Sequence, residues 1–190
     1  MTTNIAWTDV TGWETIWAPD NGAQITAAIL AQINDGHANG ATLFSSQYSY
    51  TDENIAAAMN LAGKVNPANR YLFDASCTSS ANDKAAVGAA TAGLAADQWG
   101  VGTSSVGQEI LHSKIAALLY PDGRGWTFSG SFNLSSSAEK EFNLADFIWS
   151  RSRAEQFASK IQSALTWVLT NQQPQPFASP HSWAVDQEEI

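Results

Sequence analysis

Apolar side chains recur along this chain with two periods, and the changes of period mark out its elements. Ile25, Ile29 and Ile33 stand four apart, which places them on one face of a helix over residues 24–34. Asp20 or Asn21 is available as its N-cap. Gly36 and Gly40 interrupt the pattern. ATLFSS, residues 41–46, reads as a short strand. Thr51 then offers a cap to a helix whose Ile55, Met59 and Ala62 share a face. RYLFDA, residues 70–75, reads as a second strand. An alanine-rich helix follows over 82–96, and residues 99–103 form a third, brief strand.

The pattern shifts again near residue 112. Two strands, 112–120 and 126–131, flank a turn of Pro121, Asp122, Gly123, Arg124 and Gly125, whose residue types supply the turn dihedrals. Residues 142–149 read as a further strand. Residues 154–170 form a long amphipathic helix with Phe157, Ile161, Ala164, Leu165 and Val168 inward. Residues 1–18, with Trp7, Trp13 and Trp17 among β-branched neighbours, are expected to be an N-terminal extension or hairpin. Residues 19–170 are expected to form one domain, and the proline-rich residues 171–190 a loosely docked tail. Strands alternating with helices predict an α/β fold, with a mixed β-sheet sandwiched between helices.

Composition narrows the class. The hydrophobic fraction is 44% with eight Trp, so a compact core is expected rather than disorder. One cysteine rules out a disulfide within the chain, and Cys77 reads as a small core residue. No apolar run reaches the roughly 18 residues that span a membrane. The first residues lack a basic start and an apolar run, so no signal peptide is expected. A cytoplasmic location is then the default, provided no leader has been removed. The net charge of −9 argues against a protein that grips nucleic acid mainly by its phosphates. The charge is uneven, however. Residues 1–100 hold nine acids and three bases, and residues 101–160 hold six of each. The bases gather where the candidate chemistry lies, and local potential can oppose the total.

That chemistry is in residues 111–143, LHSKIAALLYPDGRGWTFSGSFNLSSSAEKEFN. Residues two apart on a strand share a face, so His112 points with Lys114, and Ser131 with Asn133 across the hairpin. Imidazole, ammonium, hydroxyl and carboxamide at one place suit a phosphodiester: one nucleophile, and donors for the charged oxygens. This set needs neither metal nor cofactor.

The segment resembles the HKD signature of the phospholipase D superfamily, His-x-Lys followed by Gly-Ser-x-Asn. His112-Ser-Lys114 and Gly130-Ser131-Phe-Asn133 match both halves. SQYSYTDENIAAAM and RYLFDASCTSS are similar to earlier elements of the small single-motif bacterial endonuclease-like members, so the likeness spans roughly residues 19–170. The resemblance implies a phospholipase D-like fold with one HKD motif per chain. One departure stands out. The family places an Asp five residues after the Lys, which here is Leu119. Either Asp122 takes its structural place or that Asp is absent. Glu141 sits where the family carries a carboxylate that orients the histidine.

The resemblance also implies a two-step reaction through a phosphohistidine, which takes two histidines. His37 and His181 read as surface residues, so the second imidazole is expected from another copy: a homodimer with both His112 in a shared cleft. Three functions follow from the likeness. The first is a metal-independent, nuclease-type phosphodiesterase. The second is a phospholipase D-type lipid phosphodiesterase or transphosphatidylase, which the acidic charge suits better. The third is a non-catalytic phosphate-binding or assembly module.

Overall fold

The structure is a computed structural model that describes residues 7–78, 80–103 and 111–172. Its elements alternate as β1 (Gly12–Trp17), α1 (Gly22–Ala38), β2 (Thr42–Gln47), α2 (Glu53–Val65), β3 (Arg70–Asp74), α3 (Ala81–Thr91) and β4 (Trp99–Gly102). After these come β5 (Lys114–Leu119), β6 (Gly125–Gly130), β7 (Leu144–Trp149) and α4 (Arg151–Asn171). Short 3-10 turns lie at Ala75–Thr78 and Ala138–Lys140.

All seven strands join one sheet in the order β1-β7-β6-β5-β2-β3-β4. β2, β3 and β4 are parallel, as crossover helices require. The other half is antiparallel, and the two halves meet where β2 pairs with β5. The mixed sheet is covered on both faces. Ile25, Ile29 and Ile33 of α1, Ile55 and Met59 of α2 and Val87 of α3 pack over Leu43, Phe73, Leu118 and Phe128. On the other face Ile161, Leu165 and Val168 of α4 pack over Leu72, Phe44 and Ile115. The alternation along each strand therefore serves two cores at once.

Local differences from the sequence reading have identifiable causes. Residues 12–17 do not form a hairpin among themselves; they pair with β7 as an edge strand, a long-range choice that no local pattern signals. α1 continues past Gly36, because a Cβ there would sit 2.6 Å from a methyl of Leu118, and the missing side chain lets helix and sheet close up. Asp52, not Thr51, caps α2 by accepting the Ile55 N–H at 2.8 Å. α4 starts three residues early, where the Ser150 hydroxyl accepts the Arg153 N–H. Arg153, in the first turn of this helix, is buried. It is 6% exposed and bonded to Ser129, with its guanidinium over the Trp7 and Phe157 rings. The tail beyond Gln172, with His181, lies outside the described residues. No helix among the described residues is long and apolar enough to cross a membrane.

Candidate active site

The carboxyl ends of β2 and β3 and the first residues of β5 converge at one end of the sheet, where open α/β sheets form their crevices. Register does the positioning. Gln47, the last residue of β2, pairs with Lys114, the first of β5. Lys114 is 4% exposed. β5 begins at Lys114, so His112 lies just outside the ladder, on exposed chain rather than on a strand. The two side chains meet nevertheless, with Lys114 Nζ 3.1 Å from His112 Nε2. An ammonium has donors only, so a hydrogen bond from it takes the tautomer with Nε2 as acceptor and the ring proton on Nδ1. In that tautomer the lone pair a nucleophile needs is on the nitrogen beside the cation.

Burial lowers the pKa of Lys114 from its ordinary value, and the nearby Asp74 carboxylate opposes that shift. Asp74 is itself 1% exposed. Its Oδ1 accepts the Ser76 N–H at 2.8 Å, and its Oδ2 accepts the Leu111 N–H. Ser46 and Ser113 share a hydroxyl hydrogen bond of 2.5 Å, a second tie between β2 and the segment before β5.

Asn133 is held from both sides by its neighbours. Phe132 and Leu134 are buried in the core, and the Leu134 carbonyl accepts the N–H groups of Thr51 and Asp52 at the start of α2. The Asn133 Oδ1 is buried without a hydrogen-bond partner among the described residues. Gly130 is required by closeness. A Cβ at this position would lie 2.2 Å from the Leu144 carbonyl oxygen of β7. The glycine of Gly-Ser-x-Asn thus lets β6 and β7 approach at the end that carries the site.

The remaining expected residues are arranged differently. β6 stops at Gly130, and the Ser131 hydroxyl accepts the Leu144 N–H at 3.1 Å, extending the β6–β7 pairing by one step. In that bond the hydroxyl oxygen accepts, and its O–H is not used. Glu141 is exposed beyond the 138–140 turn, and no hydrogen bond joins it to His112 among the described residues. Asp122 is also exposed; it accepts the Arg124 N–H and pairs with the Arg124 guanidinium at 2.7 Å, fixing the hairpin turn. His37 is in the last turn of α1, near the Tyr120 end of β5. It is separated from His112 by the length of that strand, on the order of 20 Å. Cys77 is a buried free thiol whose Sγ donates to the Tyr48 carbonyl, and burial pushes its pKa up. No group of three His, Cys, Asp or Glu side chains among the described residues is placed to hold a metal.

Sequence reading missed Tyr48 and Asp74. The Tyr48 ring lies 4.4 Å from the His112 ring and 4.6 Å from Lys114 Nζ, centroid distances in both cases. The available signals were an aromatic directly after a strand and an acid ending an apolar one, a costly burial unless it is used.

No family model matches the chain, and no curated protein matches it. Solved structures do. Nuc from Salmonella typhimurium, a phospholipase D family member, aligns over 82% of this chain and 94% of its own, with a TM-score of 0.62 and 21% identity. The chain has the phospholipase D fold. NucT from Helicobacter pylori aligns over 82% of this chain and 96% of its own, at a TM-score of 0.58 and 16% identity. Polyphosphate kinase from Porphyromonas gingivalis aligns over 87% of this chain but only 27% of its own, at a TM-score of 0.53 and 13% identity. In this instance of the phospholipase D fold, the Lys of His-x-Lys opens β5 and the Gly of Gly-Ser-x-Asn closes β6, strands that are neighbours in the sheet.

Proposed function

We propose that the chain is a phosphodiesterase that works through a phosphohistidine on His112, with nucleic-acid phosphodiesters as substrate. The observation that carries this reading is the 3.1 Å approach of Lys114 Nζ to His112 Nε2. It puts a positive charge beside a nitrogen whose lone pair is available. In the first step Nε2 attacks phosphorus, a P–N bond forms and the P–O bond to the leaving group breaks. Lys114 and Asn133 donate to the non-bridging oxygens, where charge builds in the transition state. The leaving oxygen takes a proton from a second imidazole. In the second step that imidazole takes a proton from water, the water oxygen attacks phosphorus, and the P–N bond breaks to restore His112.

His37 is remote from this site, so the second imidazole is assigned to His112 of the partner subunit in a twofold dimer. Glu141, exposed in its own chain, is assigned to orienting that histidine, and Ser131 to a supporting donor. The nuclease reading rests on size and on one motif per chain: the chain spans 94% of Nuc and 96% of NucT. The net charge of −9 favours a second reading, a phospholipase D-type lipid substrate.

The test is phosphodiesterase activity in EDTA on single- and double-stranded DNA and on phosphatidylcholine, with His112→Ala as control. DNA cleavage lost in the variant supports the nuclease. Choline release without DNA cleavage selects the lipid enzyme. Inactivity on both, and on bis(p-nitrophenyl) phosphate, leaves a phosphate-binding or assembly module. A monomeric mass for active protein overturns the shared site.

A further inference from the structure

We propose that Tyr48 is a positioning residue of this site, its ring seating the Lys114 ammonium and steadying the His112 imidazole against it. This rests on the reading of His112 as nucleophile.

His112 is exposed and lies before β5, so no strand ladder holds it. Among the described residues, two contacts of its ring bear on where it sits. One is the Lys114 Nζ at 3.1 Å, and the other is the Tyr48 ring at 4.4 Å, tilted by 57°. The Lys114 ammonium is also 4.6 Å from the centroid of that ring, well inside the range of a cation–π contact. The three groups form a closed triangle, in which Tyr48 touches both members of the reacting pair. Of these two contacts, removing the Tyr48 ring leaves only the one to a flexible ammonium stem.

Tyr48 is itself fixed. It follows β2 directly, one residue after Gln47, which pairs with Lys114. Its carbonyl accepts the Ser76 hydroxyl and the Cys77 thiol, both at 3.1 Å. The 75–78 turn that supplies those donors starts beside Asp74, whose carboxylate anchors Leu111. A ring packed only as filler would be replaceable by any apolar side chain of similar size. A ring acting through its π-face is replaceable only by another aromatic, and phenylalanine is the one that keeps its size.

The experiment compares Tyr48→Phe, Tyr48→Leu and Tyr48→Met. The His112 imidazole proton resonances are assigned by their loss in His112→Ala. The wild type and Tyr48→Phe should share an upfield ring-current shift that both aliphatic variants lose. On bis(p-nitrophenyl) phosphate, kcat should fall roughly tenfold in the aliphatic variants, the scale of a desolvated cation–π contact. KM should change little, and Tyr48→Phe should restore kcat. Wild-type resonances in either aliphatic variant, or a Tyr48→Phe as impaired as Tyr48→Leu, overturn the proposal. The resonance arm decides the matter even if the wild type proves inert on the ester, an outcome that would sink the enzymatic reading separately.

Discussion

Oδ2 of Asp74 accepts the backbone N–H of Leu111 at 2.5 Å, across 37 residues of sequence. A carboxylate at the end of β3 thereby fixes the chain immediately before His112. The same group opposes the burial penalty on Lys114. Asp74→Ala should leave the Leu111 and Ser76 N–H groups without their acceptor and lower stability by about 2–3 kcal/mol. The loss of phosphodiesterase activity should exceed the loss of folded protein, because His112 is released along with the countercharge. Urea melts beside specific activity at matched folded fraction test this.

Lys114 offers a test of opposite sign. Burial holds its pKa in the folded chain below the ordinary value of 10.5. Between the folded and unfolded pKa values the unfolded chain binds more protons, so this residue makes stability rise with pH across that window. Below the folded pKa the full penalty is present. Lys114→Met should therefore abolish activity and yet melt higher at pH 7. Its advantage should shrink as pH approaches 10.5. Equal melting temperatures at pH 7 would mean that Asp74 and Tyr48 already cancel the penalty.

The buried Asn133 Oδ1 has no partner among the described residues, so its removal costs the folded state little. Asn133→Ala should keep or slightly raise the melting temperature. Its kcat should fall on the order of 10²–10³-fold, the usual cost of a lost donor to developing charge. Calorimetry alongside single-turnover kinetics separates the two effects; a melting temperature that falls with activity would assign Asn133 a structural role.

Gly130→Ala brings a Cβ to 2.2 Å from the Leu144 carbonyl oxygen, which a packed sheet relieves only by parting β6 from β7. Overpacking of this kind costs about 1–3 kcal/mol. The variant should melt several degrees lower. Slower hydrogen exchange at Ser131 and Leu144 than in the wild type would contradict it.

The alternation of strands and helices was legible because each element buries a face with its own period. Ile25, Ile29 and Ile33 announce α1, and the Pro121–Gly125 turn announces the hairpin. His112, Lys114 and Asn133 were legible as a motif. The partners that aim them were not. Asp74 and Tyr48 act across long separations, and their roles appear only when β2, β3 and β5 are set side by side. The edge position of β1 was hidden for the same reason, since its ladder is with β7. Leu119 pairs with Gly125 at the far end of β5, so neither it nor Asp122 in the turn approaches the Lys114 end of the strand.

The β2–β5 ladder joins the parallel and antiparallel halves of the sheet, and across it Ser46 meets Ser113 from 67 residues away. Neither half alone contains a site: one carries Tyr48 and Asp74, the other His112, Lys114 and Asn133. Closing such a long loop costs chain entropy that is repaid only once the seam has formed. In a partly folded chain these two sets of side chains therefore lie apart, and they come together only when the central seam has zipped.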